Sequence, residues 1–137
     1  MSENWSEQFP SGPTVHDLLG VIVVEATRDR VVLQLPVGPK VHQPYGILHG
    51  GVSALLAEGA ASIGGALRVA PDHIVVGTEL NCSHLRAMTT GTLTATATPI
   101  RTGRTVHVWA IDLTDDEGRQ ICAARCSLQV LPSPPGP

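Results

Sequence analysis

One carboxylate stands inside the most apolar stretch of the chain: Glu58, within HGGVSALLAEGAASIGGALR, residues 49–68. If that stretch is helical, Glu58 and Ser62 share a face with Gly51, Ala54, Ala61 and Gly65. A carboxylate there is costly to bury unless it is paired or protonated. Two readings follow: an ion pair with an arginine from a neighbouring strand or subunit, or a working base. Just ahead lies the loop Gln43, Pro44, Tyr45, Gly46, Ile47, Leu48, then His49, Gly50 and Gly51. A helix beginning there presents unpaired backbone N–H groups and the positive end of its dipole. The two glycines leave those groups open to approach, and such a site can hold a carbonyl oxygen as negative charge develops on it. His49 could act there, or simply cap the helix.

Other chemistry-bearing residues are scattered. His84 sits in NCSHLR on a strand after the helix, and Arg86 follows it. The turn Arg101, Thr102, Gly103, Arg104 offers cations and turn N–H groups to an anion. Eight of the nine basic residues are arginine, which suits bidentate phosphate contacts. His16, His42, His73 and His107 show no metal-ligand spacing with one another or with Cys82, Cys122 and Cys126, so no metal is expected. Three cysteines cannot all pair internally; free buried thiols are the expectation.

These residues must be positioned by a fold. Thr14 opens a short helix over residues 15–19, ended by Gly20. Residues 21–24 and 30–37 read as strands, with Val31, Leu33, Leu35 and Val37 on one face. The helix over residues 49–68 would be roughly 30 Å long. It contains Gly59, Gly64 and Gly65, each costing up to about 1 kcal/mol against alanine, so something packs close to its backbone. Strand signals return over 74–86, 91–100, 105–113 and 119–130, with turns at 101–104 and 115–118. The order β-β-α-β-β-β-β predicts an α+β fold, one antiparallel sheet wrapped around one long helix. The domain spans 14–131, between a flexible segment at 1–13 and a flexible proline-rich tail at 132–137.

Composition bounds the function. With 137 residues there is length for one domain. At 42% hydrophobic and 15% charged the chain is too apolar for disorder. A net charge of -3 gives no basic stripe, so nucleic acid is not an expected partner. No membrane span is expected, nor a secretion signal in the polar first ten residues, which makes the cytoplasm the expected location. Aromatic residues are only 3% of the chain, so a core of small side chains needs close backbone approach, and a domain this small is helped by association.

The run QPYGILHGGVSALLAEGAAS resembles the signature of hotdog-fold acyl-CoA thioesterases. The resemblance is to the branch of the PaaI-like superfamily that holds the Arthrobacter-type 4-hydroxybenzoyl-CoA, enterobactin-proofreading and dihydroxynaphthoyl-CoA thioesterases. It continues to about residue 130 through VVGTELNCSHLRAMTTGTLTATATPIRTGRTVHVWAIDLTDDEGRQICAARCSL. Another thioesterase branch uses an aspartate elsewhere; here the glutamate position is filled. The resemblance implies hydrolysis of an aryl- or medium-chain acyl-CoA to free acid and coenzyme A, with no cofactor beyond the coenzyme A of the substrate. It implies Glu58 as nucleophile or general base and Gln43 positioning thioester or water. Gly50 N–H would polarise the carbonyl, His49 would sit near it, and Ser62 would orient water or acyl group. Substrate contacts would come from Gly51, Leu55, His84, Arg86, Arg101, Thr102, Gly103 and Arg104, with Leu56 and the 74–85 strand beside the acyl group. It also implies a homodimer with shared active sites, Gln43, His49 and Gly50 of one subunit facing Glu58 and Ser62 of the other, assembled as a dimer of dimers (a homotetramer). A non-catalytic acyl-CoA-binding module and a thioester hydratase or dehydratase are the alternatives.

Overall fold

The computed structural model describes residues 12–136. Most of the 1–13 segment therefore lies outside the described residues. The elements are α1 (Val15–Leu19), β1 (Ile22–Ala26), β2 (Val31–Val37), α2 (Gly50–Val69), β3 (His73–His84), β4 (Gly91–Thr102), β5 (Val106–Thr114) and β6 (Gln120–Pro132), with a 3-10 turn at Pro39–Val41 between β2 and α2. The six strands form one sheet in the order β1-β2-β4-β5-β6-β3, and every pairing is antiparallel. Strands β2, β3, β4, β5 and β6 pack against α2. This is the predicted α+β hotdog architecture.

The alternation that predicted the strands sorts side chains between the two faces of the sheet. Leu33, Leu35, Leu93, Ala95, Ala97, Trp109, Leu113, Cys126 and Leu128 are fully buried toward the helix. Thr92, Thr94, Thr96 and Thr98 lie on the other face, at least partly exposed. Each buried leucine contributes about 1.5–3 kcal/mol. Against this sheet α2 buries Leu56, Ala57, Ala60, Ala61, Ile63, Gly64, Gly65 and Leu67. By length and composition α2 could cross a bilayer; here it is the core helix, with the sheet wrapped over its apolar face.

The three helix glycines are explained by what lies on them. A Cβ at Gly64 would stand 2.8 Å from Cζ3 of Trp109, and one at Gly65 would stand 2.6 Å from a Leu128 methyl. A Cβ at Gly59 would stand 2.5 Å from both Cε1 and Nε2 of His16. The cost in helix propensity is offset by this close packing. Cys122 and Cys126 are buried and Cys82 half-buried, all free. Burial pushes the Cys122 and Cys126 thiols up to about 12, with the Glu58 charge adding to the effect at Cys126. They are packing groups.

Three boundaries differ from the sequence expectation, each for a local reason. Strand β3 ends at His84, and the Leu85 N–H turns to Ile121 O at 2.8 Å, so Arg86 leaves the sheet. Arg101 and Thr102 belong to β4, because an irregularity at Pro99/Arg101 lets pairing resume with Val108 and His107. The turn thus begins at Gly103, whose N–H donates to Val106 O at 2.9 Å. Pro132 closes β6 opposite His73, where its missing N–H costs little. Beyond it Ser133 is tied to Pro71 O through its hydroxyl at 2.7 Å.

Candidate active site

The start of α2 is held in place by the loop before it. The His49 N–H donates to Val41 O at 2.9 Å and the Leu48 N–H to Met88 O at 2.7 Å. Within the loop Gly46, at φ 78, makes the turn that lets its N–H reach Gln43 O at 2.9 Å. His49 caps the helix: its Nδ1 accepts the Gly51 N–H at 2.8 Å. That bond places the ring proton on Nε2, which stays available as a donor. Capping and a catalytic role are therefore compatible in one side chain. The Gln43 Oε1 accepts the Tyr45 N–H, which leaves the Gln43 NH₂ to donate outward. Gly50 lies in the first turn, where the helix supplies no carbonyl for its N–H.

His84 stands over this glycine: a Cβ at Gly50 would be 2.9 Å from His84 Nε2. Gln43, Gly50, Ser53, His84, Arg86 and Ile121 are among the walls of a cavity of about 400 Å³. Of the residues singled out in the sequence, Gln43, Gly50, His84 and Arg86 thus meet at one place, with His49 and Gly51 flanking it. Ser53 was missed. It is almost fully buried, and a small polar residue in a helix stretch rich in alanine gives no sequence signal of its own.

Glu58 sits elsewhere. It is half-buried, and a Cβ at Gly77 would stand 2.9 Å from its Cδ and Oε1. The carboxylate therefore lies against the β3 backbone. Among the described residues it makes no ion pair, so the ion-pair reading finds no partner there. Gly77 was also missed, although a glycine interrupting a strand is a signal of close approach. From Gly50 to Glu58 the helix rises about 12 Å. Ser62 follows one turn later, and Leu55 is half-buried; Leu56 is fully buried in the helix–sheet core.

Thr102, Gly103 and Arg104 lie at the opposite end of α2. With Arg68, His73 and His107 they line a second cavity of about 360 Å³. Arg68 pairs with Asp29 at 2.6 Å and donates to Thr102 Oγ1 at 3.1 Å. His107 is buried, and its Nδ1 has no hydrogen-bond partner among the described residues. Burial, with the Arg68 charge beside it, holds its imidazole below the usual histidine range. Among the described residues no three His, Cys, Asp or Glu side chains are grouped as metal ligands.

The fold and this helix-start site define a class, and the comparisons with known proteins agree on it. The family described as Thioesterase superfamily matches residues 45–122. The 1,4-dihydroxy-2-naphthoyl-CoA hydrolase of Listeria monocytogenes is 45% identical over 85% of this chain and 94% of its own. The proofreading thioesterase EntH of Cronobacter sakazakii is 37% identical over 86% of both chains. The crystal structure of thioesterase HI1161 from Haemophilus influenzae superposes with a TM-score of 0.84 at 37% identity, covering 88% of this chain and 85% of that one. The chain belongs to the thioesterase superfamily, among relatives of the dihydroxynaphthoyl-CoA and proofreading branches. It is a thioester hydrolase of the hotdog fold.

Proposed function

We propose that the chain hydrolyses an aryl- or medium-chain acyl-CoA to free acid and coenzyme A, in sites shared between two subunits, with Glu58 as nucleophile or general base. The observation that carries this reading is the half-buried Glu58 carboxylate, set against Gly77 with no ion-pair partner among the described residues. A second copy resolves its distance of about 12 Å along the helix from Gly50. Strand β3 is one of the two sheet edges, with Ile74 and Val76 exposed. Such an edge calls for pairing. Antiparallel pairing of β3 with its copy runs the Gly77 region of one subunit toward the His84 end of the other. The Glu58 of one subunit then approaches the Gly50 cavity of its neighbour.

In that arrangement the thioester carbonyl sits on the Gly50 N–H, with Gln43 NH₂ and His49 Nε2–H as further donors. These donors stabilise the oxyanion as the tetrahedral centre forms. Glu58 either attacks the carbonyl carbon, giving an anhydride that water opens, or removes a proton from the water that attacks. Either way the C–S bond breaks, the thiolate leaves and takes a proton, and Ser62 orients water or acyl group. Gly51, Leu55 and His84 flank the reacting centre. Arg86, on the Gly50 cavity, supplies a cation for the coenzyme A phosphates; Arg101, Thr102, Gly103 and Arg104, at the other end of α2, do not share that cavity.

Release of free thiol from a panel of aryl- and straight-chain acyl-CoAs tests this reading, with Glu58→Gln and Glu58→Ala in parallel. Turnover of at least one thioester, lost by at least about a hundredfold in both variants, is the expected result. No thiol release from any thioester, with acyl-CoA still bound, would make the chain a binding module; an altered acyl group with the thioester intact would make it a hydratase.

A further inference from the structure

α1 is only five residues long, yet it places one side chain directly on the central helix. His16 lies so close to Gly59 that a Cβ there would be 2.5 Å from its Cε1 and Nε2. Around α2, Gly59 is about 100° from Glu58, and Leu55 and Ser62 lie between them at about 60° and 40°. This strip of the helix is bounded on one side by Gly77 of β3, against Glu58, and on the other by His16 of α1, against Gly59. Leu55 and Ser62, both half-buried, lie on the strip between them.

Resting on the thioesterase reading above, we propose that His16 is a specificity-determining residue: it forms the polar far wall of the acyl site and selects acyl groups that carry a hydroxyl beyond the thioester. In this proposal an acyl group bonded to a carbon within reach of Glu58 runs along this strip, over Leu55 and Ser62, toward the His16 ring. Half-buried, with burial holding it below the usual histidine range, the ring is neutral near pH 7. It therefore offers one donor and one acceptor, which a hydroxyl satisfies and a hydrocarbon edge does not. A polar group left unpaired by the wrong substrate is what makes such a wall discriminate. Gly59 is part of the device, because any side chain there would displace the ring.

The test compares kcat/KM for benzoyl-CoA with that for its ortho, meta and para hydroxy derivatives, in the wild type, His16→Phe and His16→Gln. Wild type is expected to favour one hydroxy isomer over benzoyl-CoA by about tenfold, the value of one ordinary hydrogen bond. His16→Phe should lose that ratio while still hydrolysing benzoyl-CoA, and His16→Gln should keep part of it. A structural role alone would lower all rates together and leave the ratio in place; that result, or a wild type with no preference, overturns the inference. Absence of thiol release from every thioester would instead overturn the thioesterase reading and this inference with it.

Discussion

The Glu58 carboxylate rests on the backbone of Gly77, with a Cβ at 77 only 2.9 Å from its Cδ and Oε1. A methyl group at Gly77 therefore competes for the space of the catalytic candidate. The atoms it meets are the far end of a flexible side chain, and Gly77 is not among the glycines at positive φ, so the fold accommodates it. Gly77→Ala should lower kcat by at least about tenfold while destabilising the protein by under about 1 kcal/mol. Steady-state kinetics and a thermal melt on one preparation check this; an unchanged kcat would separate Glu58 from the reaction.

Gly64→Ala should do the reverse. Its methyl meets Trp109, which is fully buried and has nowhere to move. Overpacking of this kind costs about 1–3 kcal/mol. Denaturant unfolding should show that loss, while folded protein at low temperature keeps kcat within about twofold, because the contact lies on the sheet side of α2.

Shared sites predict complementation. Glu58→Ala and Gln43→Ala homodimers should each be nearly inactive. Refolded together at equal amounts, about half the dimers are mixed, and each mixed dimer carries one site free of both substitutions. Activity should return to roughly one quarter of wild type. Recovery of nothing, from a mixture shown to contain mixed dimers, would place each site within one subunit.

Stability should fall in acid through two histidines. Burial lowers the pKa of His16, and burial with the Arg68 charge lowers that of His107. The unfolded chain, with ordinary histidines titrating near 6.5, then binds more protons than the folded one below that pH. The stabilisation from keeping them neutral is present above about pH 6.5 and lost as pH falls through the range beneath. Unfolding at pH 7.5 and pH 5.0, in wild type and His107→Gln, measures it: the variant should show the smaller difference between the two.

Much of this protein is determined by sequence alone. The period-2 runs place Leu33, Leu35, Leu93 and Leu128 in the core because a strand's side chains alternate faces whatever it pairs with. The glycines of α2 announced close contacts because nothing else repays their cost in a helix. QPYGILHGG ahead of a helix bearing Glu58 carried the resemblance to the thioesterase superfamily, to which the chain belongs; caps, dipoles and misplaced charges are local properties.

What tertiary structure decided is which distant groups meet. His84 over Gly50, Gly77 beneath Glu58 and His16 on Gly59 each join residues from different elements. The register of β3 and the docking of α1, rather than any local pattern, set those meetings. The ends of strands belong here too: Arg86 reaches the cavity only because β3 stops at His84. Local propensity governs how a segment is shaped. Long-range packing governs what it faces, and the chemistry of this site lies in what its residues face.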